Sequence, residues 1–242
     1  MGQSGVTLTS ALSTVRSMLD EPNPQFWTDA ELTTWLNEAC TDIARRSETL
    51  RTVANITVTA GTQSYAAPSD TYRIYRIEFQ PTGGILTYTL EYRGMEGMDQ
   101  YWGNLQNQPA SFPALYTLWY SPVSAAQAGT PTPTQMMIKT YPVPAQNGTL
   151  IVYYYRQIVP VITTAESHTI DCLPGWEDIA YDYTVYKALR KDADPRWKDQ
   201  HDLYEARLLN MIDTTRSFTD QPDYFSTGPT GQPAWLLGGD AS

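Results

Sequence analysis

The 242-residue sequence contains only two cysteines and two histidines, and it has no long apolar run. Cys40 and Cys172 lack C-x-x-C spacing, so each is expected to be a small buried side chain in a reducing cytosol. His168 is expected in a loop and His201 on the inner face of a helix, which leaves no catalytic site built around histidine. No segment approaches the ~18 apolar residues of a membrane span. Residues 1–7 lack a signal-peptide pattern, so we expect neither secretion nor membrane insertion.

Motifs that hold metals or phosphates are missing as well. The nearest metal-like set is Glu177, Asp178 and Asp182 at helical spacing, but acids in a first helical turn more often interact with the helix dipole. Gly94 and Gly97 are too close together for a phosphate loop, and no G-x-x-x-x-G-K pattern occurs. The sequence therefore predicts no catalytic residue, no metal and no cofactor.

Positive charge is scarce. The 16 basic residues are outnumbered by 26 acidic ones, which gives a net charge of −10. Tight binding of duplex DNA requires basic residues against the phosphates, so this balance predicts weak contact with DNA. The only early basic cluster is Arg45, Arg46 and Arg51. Favourable charge at a helix C-terminus explains it first, and pairing between subunits is the second explanation.

The first 50 residues show two helical patterns. The first pattern ends before two prolines and consists of Leu8, Leu12, Val15 and Leu19. The second helix is predicted to start with a capping box, in which Thr28 caps the helix and Glu31 reaches back to it. Trp27 is expected to pack against Leu32 as a hydrophobic staple. The apolar stripe of this helix is predicted to continue to Leu50.

Two further helices are predicted after residue 172. Pro174 suits the first position of one, which runs to Lys191. Asp194 is expected to cap the next, with Pro195 at its first position. The inner stripe of this last helix comprises Trp197, His201, Tyr204, Leu208 and Met211.

The last segment, 217–242, is rich in Pro, Gly, Ser, Thr and Asp and cannot form a core of its own. Its isolated anchors are Phe218, Tyr224, Phe225, Trp235, Leu236 and Leu237. Fully extended, the segment spans at most ~3.3 Å per residue, or roughly 85 Å. We therefore expect an extended arm that becomes ordered on another protein.

Between the helical regions the hydrophobic period changes to two, which predicts strands. The predicted strands cover 56–59, 74–77, 86–92, 115–120, 136–141 and 150–159. A Pro-Thr-Gly-Gly turn at 81–84 joins two of them at hairpin distance. About six strands suggest a meander folded into a sandwich or a small barrel. The long connections 94–111 and 121–135 are expected to reach outward to a partner.

Aromatic side chains are frequent in this strand region. In the segment 86–92 the apolar residues are expected to share one face: Leu86, Tyr88, Leu90 and Tyr92. Alternation puts Tyr154 on one face of the sheet and Tyr153 and Tyr155 on the other. At least one of the three is expected in the core. The alternative is that the run, together with the Trp residues, forms a stacking platform for sugars or bases.

Together these patterns predict an α+β fold class. It consists of an α-helical bundle built from both chain ends, an inserted antiparallel β-sandwich or barrel-like domain, and an extended C-terminal arm. The predicted boundaries are 1–50 for the N-terminal helices, 51–171 for the β domain, 172–216 for the C-terminal helices and 217–242 for the arm.

Three segments resemble a known family. They are 27–39, with W-T-D-A-E-L followed by W-L-N-E-A; 141–156, with Y-P-V-P followed by L-I-V-Y-Y-Y-R; and 173–188, with L-P-G-W-E-D followed by spaced tyrosines. In these segments the chain resembles the head-to-tail adaptor (connector) proteins of tailed bacteriophages. The likeness is greatest to the tail tubular protein A class of short-tailed phages.

The resemblance implies a structural virion protein and not an enzyme. It implies a ring, typically of twelve copies, that lies beneath the portal protein at the head–tail junction and continues the DNA channel for genome retention and ejection. The implied partners are the portal protein, a tail or nozzle protein, further copies of the chain, and passing duplex DNA without tight binding. The arm 217–242 would dock between portal subunits, and the protein would be made in the host bacterial cytoplasm.

Three alternatives stay open on the sequence alone. One is another virion part, such as a tail-terminator or nozzle subunit. A second is a glycan-binding β-sandwich that uses the aromatic faces of Tyr101-Trp102 or Trp119-Tyr120. The third is a hydrolase with paired carboxylates drawn from distant segments.

Overall fold

The computed structural model describes residues 5–94, 110–122, 134–161 and 168–219. Within these ranges the fold is a mixed α+β arrangement of four helices and a seven-stranded sheet. The helices are α1 (Leu8–Met18), α2 (Asp29–Ser47), α3 (Glu177–Lys191) and α4 (Trp197–Thr219). The strands are β1 (Arg51–Val58), β2 (Ser64–Ala66), β3 (Thr71–Pro81), β4 (Tyr88–Tyr92), β5 (Leu115–Pro122), β6 (Thr134–Tyr141) and β7 (Gly148–Arg156).

The strands lie in the order β1-β7-β3-β4-β5-β6-β2 and form a nearly closed, barrel-like sheet. Neighbouring strands are antiparallel except β4 and β5, which are parallel. The predicted hairpin across the Pro-Thr-Gly-Gly turn is confirmed, since β3 pairs with β4. The predicted meander is wrong, because β7 lies between β1 and β3. This pairing sets Arg51 beside Tyr155, so the chain enters and leaves the sheet at one place.

The apolar side chains are buried in separate clusters. One fills the inside of the sheet and includes Ile77, Phe79, Ile138, Leu150 and Val152. Another lies between the helices and includes Ala11 of α1, Leu36 of α2, Ile179 of α3 and Leu208 of α4. Helices from both sides of the strand region therefore share a core.

The predicted start of α2 is confirmed. The Thr28 hydroxyl accepts a hydrogen bond from the Glu31 N–H at 3.3 Å, and the Glu31 carboxylate accepts one from the Thr28 N–H at 3.1 Å. Trp27 and Leu32 are buried in one apolar cluster, as a hydrophobic staple requires. Leu50 lies beyond the helix, because the chain leaves α2 after Ser47 through a left-handed residue.

The helix α3 begins later than predicted. Gly175 has φ 84°, a left-handed conformation that places it in a turn after Pro174. The helix therefore starts at Glu177, whose carboxylate accepts a hydrogen bond from the Gly175 N–H at 2.9 Å.

The helix α4 begins at Trp197 and not at Pro195. Asp194 does cap this turn, since its carboxylate accepts a hydrogen bond from the Arg196 N–H at 2.9 Å. Of the predicted stripe, Tyr204, Leu208 and Met211 are buried, whereas Trp197 and His201 are half-buried.

The strand β4 is shorter than predicted, and its apolar face is mostly exposed. Leu90 is buried opposite Ile77, but Leu86 lies before the strand and is 68% exposed. Tyr88 and Tyr92 lie at the two ends of the strand, where their rings pack at 5.5 Å from Phe112 and from Tyr116. A five-residue strand covers the core only with its central residue.

Several predicted features lie outside the described residues. They include most of the connections 94–111 and 121–135, Tyr101-Trp102, and the arm anchors Tyr224, Phe225, Trp235, Leu236 and Leu237. Phe218 falls within the last turn of α4. Within the described ranges, no helix combines the length and apolar content that a membrane span requires.

Candidate interaction surface

The strand β3 contains a tandem repeat, Tyr-Arg-Ile-Tyr-Arg-Ile at 72–77. Ile74 and Ile77 are buried, whereas each Tyr-Arg pair is exposed. A regular strand would bury every second residue, so this strand departs from the predicted period of two. Its burial period is three.

Two β-bulges produce this period. The pairing of β3 with β7 shifts register between Thr71 and Arg73 and again between Ile74 and Arg76, so Tyr72 and Tyr75 are the extra residues. A bulge redirects side chains and increases the local twist. The repeat therefore presents two tyrosines and two arginines on the outside of the sheet while both isoleucines remain in the core.

Aromatic rings and guanidinium groups stack along this outer face. The Tyr75 ring lies 5.0 Å from that of Tyr155 and 6.2 Å from that of Tyr153. The Arg51 guanidinium lies 5.6 Å from the Tyr155 ring, and the Arg76 guanidinium lies 5.6 Å from the Tyr153 ring. Cation–π contacts of this kind contribute about 0.5–1 kcal/mol each at exposed sites. The stack therefore holds the side chains in fixed positions.

We call this surface the Tyr–Arg face and define it as Arg45, Arg51, Tyr72, Arg73, Tyr75 and Arg76. Its two tyrosines are 40% and 42% exposed. Burial raises the pKa of Tyr75, although the charge of Arg51 opposes this effect. The Tyr75 hydroxyl therefore stays neutral and can donate a hydrogen bond.

The Tyr–Arg face carries excess positive charge. Arg73 pairs with Glu48 and Arg76 pairs with the buried Glu78, while Arg45 lies 5.9 Å from the Tyr72 ring beside them. No carboxylate of the described residues lies within ion-pair distance of Arg45 or Arg51. Two positive charges are therefore unbalanced in a chain whose net charge is −10.

A second exposed surface runs along α4. We call it the α4 outer face and define it as Asp199, Asp202, Leu203, Leu209 and Asp213, which recur at helical spacing. Leu203 and Leu209 are 39% and 54% exposed, and the Asp202 side chain is 84% exposed. This side of α4 therefore combines apolar and acidic side chains in contact with solvent.

Hydrogen bonds to α2 and α3 hold α4 on its opposite side. Arg46 of α2 donates two hydrogen bonds to the Glu205 carboxylate, at 2.8 and 2.6 Å. These bonds lower the pKa of Glu205. Arg207 donates to Asp182 of α3 at 2.7 Å, and the Tyr204 hydroxyl donates to Asp42. The α4 outer face is therefore presented by a rigid element.

The predicted basic cluster is divided between these surfaces. Arg46 is used within the chain by Glu205, whereas Arg45 and Arg51 stack on tyrosines of β3. The tyrosine run behaves as alternation predicts: Tyr154 lies in the core inside the sheet, and Tyr153 and Tyr155 join the outer stack.

The weak metal and catalytic candidates have other contacts. Arg207 holds both Asp178 and Asp182. The His168 carbonyl accepts a hydrogen bond from the Leu8 N–H, and the His201 ring packs against Tyr186 at 5.0 Å. Within the described ranges, no three metal-binding side chains come together.

The two cysteines are buried, as predicted, and they lie beside each other in the core between the helices. A hydrogen bond with the Cys172 thiol, together with burial, raises the pKa of Cys40. The Cys40 thiol therefore stays protonated, and both side chains act as packing groups.

A buried guanidinium near the start of α2 is a further feature that the sequence patterns did not predict. Arg16 donates to Asp29 at 2.6 Å and to the Trp27 carbonyl at 2.9 Å, and it also pairs with Glu21. Burial acts to raise the pKa of Glu21, but hydrogen bonds from three backbone N–H groups and the charge of Arg16 lower it overall. These contacts fix the segment between α1 and α2.

The Tyr–Arg face is the main surface that periodicity missed. The tandem Tyr-Arg-Ile triplets were the available signal, since a three-residue repeat cannot follow a regular strand without bulges. No catalytic constellation accompanies the two surfaces in the described residues, and their chemistry is that of protein contact.

Comparison with known proteins agrees with this description. The family model of the SU10 adaptor protein matches residues 6–231. No curated protein matches the chain. The matched residues cover all the helices and strands described above. The chain therefore belongs to the SU10 adaptor protein family and is a phage adaptor protein.

Proposed function

We propose that the protein forms a ring in the virion, between the portal protein and the tail, and that the ring continues the DNA channel. The observation that carries this proposal is the family match over residues 6–231. The sequence likeness to the tail tubular protein A class supports the same position. A ring of twelve copies would match the usual symmetry of such connectors.

The arm 217–242 is proposed to dock on the portal protein. Ordering its residues beyond α4, 220–242, costs about 23–46 kcal/mol at ~1–2 per residue, whereas the five proposed anchors beyond Thr219 return roughly 7–15 kcal/mol. The portal must therefore supply backbone hydrogen bonds as well as pockets. Many copies in one ring raise the effective concentration of each arm, so individually weak contacts combine into firm attachment.

Removing the arm tests the proposal. A chain truncated after Thr219 retains all of α4, so we expect it to fold normally by circular dichroism but to lose co-sedimentation with portal rings. Substituting Trp235, Leu236 and Leu237 by alanine should weaken binding, because these residues are proposed anchors. Ser226→Ala with Thr227→Ala is the matched control. Portal binding that survives truncation would rule out the docking arm.

The DNA channel requires a surface that duplex DNA does not bind. The net charge of −10 supports this part of the proposal, because carboxylates repel the phosphates. We expect assembled rings to bind duplex DNA only weakly in a filter-binding assay, and tight binding at physiological salt would contradict it.

Exposed aromatic side chains on β4 and β5 support a contact with the tail or nozzle protein. Tyr92 and Tyr120 are 55% and 65% exposed, and Trp119 is 36% exposed. Such side chains are enriched at protein interfaces. The same surface suits a glycan, so a glycan array separates the two candidates.

A further inference from the structure

We propose that the Tyr–Arg face of one copy binds the α4 outer face of the next copy. The inference rests on the proposed ring and assigns its contact between copies. It identifies two different surfaces of one chain as partners.

Charge complementarity is the first argument. The Tyr–Arg face has two unbalanced guanidinium groups, whereas the α4 outer face has three carboxylates, Asp199, Asp202 and Asp213. Within the described residues, no Lys or Arg side chain pairs with any of these three carboxylates. Each surface therefore carries the charge that the other lacks, and such pairing steers association and fixes its register.

Apolar complementarity is the second argument. Leu203 and Leu209 are exposed between the carboxylates of α4, and Tyr72 and Tyr75 expose ring surface between the arginines of β3. Tyrosine and arginine are among the residue types enriched at the energetic centres of protein interfaces. Leucine side chains on the tyrosine rings would remove apolar surface from water on both copies.

The dimensions of the two surfaces also agree. The segment 199–213 of α4 is about 21 Å long at 1.5 Å per residue. The Tyr–Arg face extends over about 13 Å along β3 at ~3.3 Å per residue. Perpendicular to the strands, from β1 across β7 to β3, it measures roughly 10 Å at ~4.8 Å per strand. The helix face is therefore the longer of the two, and about two and a half of its turns, at 5.4 Å each, cover the 13 Å of β3.

Both surfaces are held by neighbouring residues of α2. Arg45 lies against Tyr72 of the Tyr–Arg face, and Arg46 binds Glu205 on α4. The angle between the two surfaces is therefore fixed within one copy. A contact between two different surfaces is heterologous, and such contacts form a ring when the rotation per copy divides a full turn.

Duplex DNA is the main alternative occupant of the Tyr–Arg face. Two unbalanced positive charges are few against a duplex with one phosphate charge per ~1.7 Å. The surrounding chain is strongly acidic, which further disfavours DNA and favours the acidic surface of another copy.

Paired charge reversals test the contact. One full-length variant carries Arg51→Glu and Arg73→Glu, so both of its surfaces are acidic. The other carries Asp202→Lys and Asp213→Lys, so both of its surfaces are basic. We expect wild-type protein at high concentration and low salt to associate in sedimentation equilibrium, and each variant alone to associate at least about tenfold more weakly. An equimolar mixture should regain association, because each acidic surface then meets a basic one.

Further variants guard against unfolding and nonspecific charge effects. Arg51→Gln with Arg73→Gln should also weaken association and avoids repulsion by Glu48. Asp192→Lys with Lys139→Glu, off both surfaces, is the matched control and should associate like wild type. All variants should show the wild-type circular dichroism spectrum.

The proposal is overturned if the wild-type protein stays monomeric, if the reversals leave association unchanged, or if the mixture stays as dissociated as its components. Binding of single arms to the portal does not involve either surface, so portal binding by the reversal variants is measured in parallel. Retained portal binding without rescue in the mixture refutes this contact and leaves the adaptor function intact. Failure of the wild-type protein to bind the portal refutes the proposed portal docking itself.

Discussion

At the residue scale, the buried guanidinium of Arg16 has the densest set of contacts near the start of α2. It joins Glu21, the Trp27 carbonyl and Asp29, three positions that follow one another along the chain. The capping box of Thr28 and Glu31 lies directly beside this cluster. The start of α2 is therefore fixed by the ion pairs of the buried Arg16 and by the exposed capping box of Thr28 and Glu31.

Replacing Arg16 by alanine should destabilise the protein. The substitution leaves Glu21 buried without its counter-ion, and breaking a buried pair is strongly destabilising. Because Asp29 is half exposed, we expect a loss of about 2–3 kcal/mol in the free energy of unfolding. Urea denaturation measures the effect, with the exposed Lys198→Ala as control. A loss no larger than that of the control would contradict the assigned role.

Acid should destabilise the protein in a defined pH range. The folded-state pKa values of Glu21 and Glu205 lie below the ordinary value of 4.5, so the folded chain binds these protons less readily than the unfolded chain. Their stabilisation is present above pH 4.5 and is lost as the pH falls through the folded-state values. We expect Glu205→Gln to reduce the slope of stability against pH in this range. An unchanged slope would show that Arg46 does not stabilise the ionised carboxylate.

Residue-scale features were predictable where they are local. The capping box is encoded by two residues three positions apart, and the structure has it as predicted. The contacts of Arg16 were not predictable, because they depend on how α1 meets the start of α2. A lone arginine on a helix gives no sign that it is buried.

At the element scale, β7 is the central partner of the outer face, and it starts at a glycine that admits no side chain. A Cβ on Gly148 would lie 2.5 Å from the Gln80 carbonyl oxygen and 2.5 Å from the Phe79 ring. The glycine therefore permits close approach of β3 and β7 over the buried Phe79.

Substituting Gly148 by alanine should force these strands apart. Overpacking of this kind typically costs about 1–3 kcal/mol, and we expect a matching fall in thermal stability by calorimetry. Gly94→Ala is the matched control, since a Cβ at Gly94 meets nothing within 4 Å. Equal stability of the two variants would contradict the close approach.

Strand periodicity predicted the existence of most strands but not which residues of β3 are exposed. A period-two pattern assigns faces only while the register is regular, and two bulges shift the register after Thr71 and after Ile74. The exposed Tyr-Arg pairs follow from these shifts. Bulges depend on pairing with β7, which lies far away in sequence.

At the scale of the whole molecule, the barrel-like sheet and the helices are built around different cores. The chain enters the sheet at Arg51 and leaves it beside the same place at Arg156, where Arg156 pairs with Asp171 before α3. Because the two ends of the strand region lie side by side, the helices before and after it can pack against each other.

A segment of residues 50–158 should fold without the helices. Its core draws only on residues of β1 to β7 and their connections, so we expect a single cooperative thermal transition and a strand-rich circular dichroism spectrum. The control is the same segment with Phe79→Ala, which removes a fully buried ring and should unfold at a lower temperature. A non-cooperative transition in the unmodified segment would show that the sheet needs the helices.

The whole-molecule topology was only partly predictable. Sequential strands are usually neighbours, which favoured a meander, yet the long-range pairing of β1 with β7 overrides that rule. The α+β class follows from the change of hydrophobic period, which is visible along the chain. Strand order is decided by contacts between distant segments.

The parallel contact of β4 with β5 limits how the chain can be shortened. Parallel neighbours cannot be joined by a tight turn, because the chain must travel back before it re-enters the sheet, and this takes about a dozen residues or more. The stretch 93–114 therefore has a minimum length. Trimming it to hairpin size would reverse β5 and deprive β6 of its antiparallel neighbour on that side.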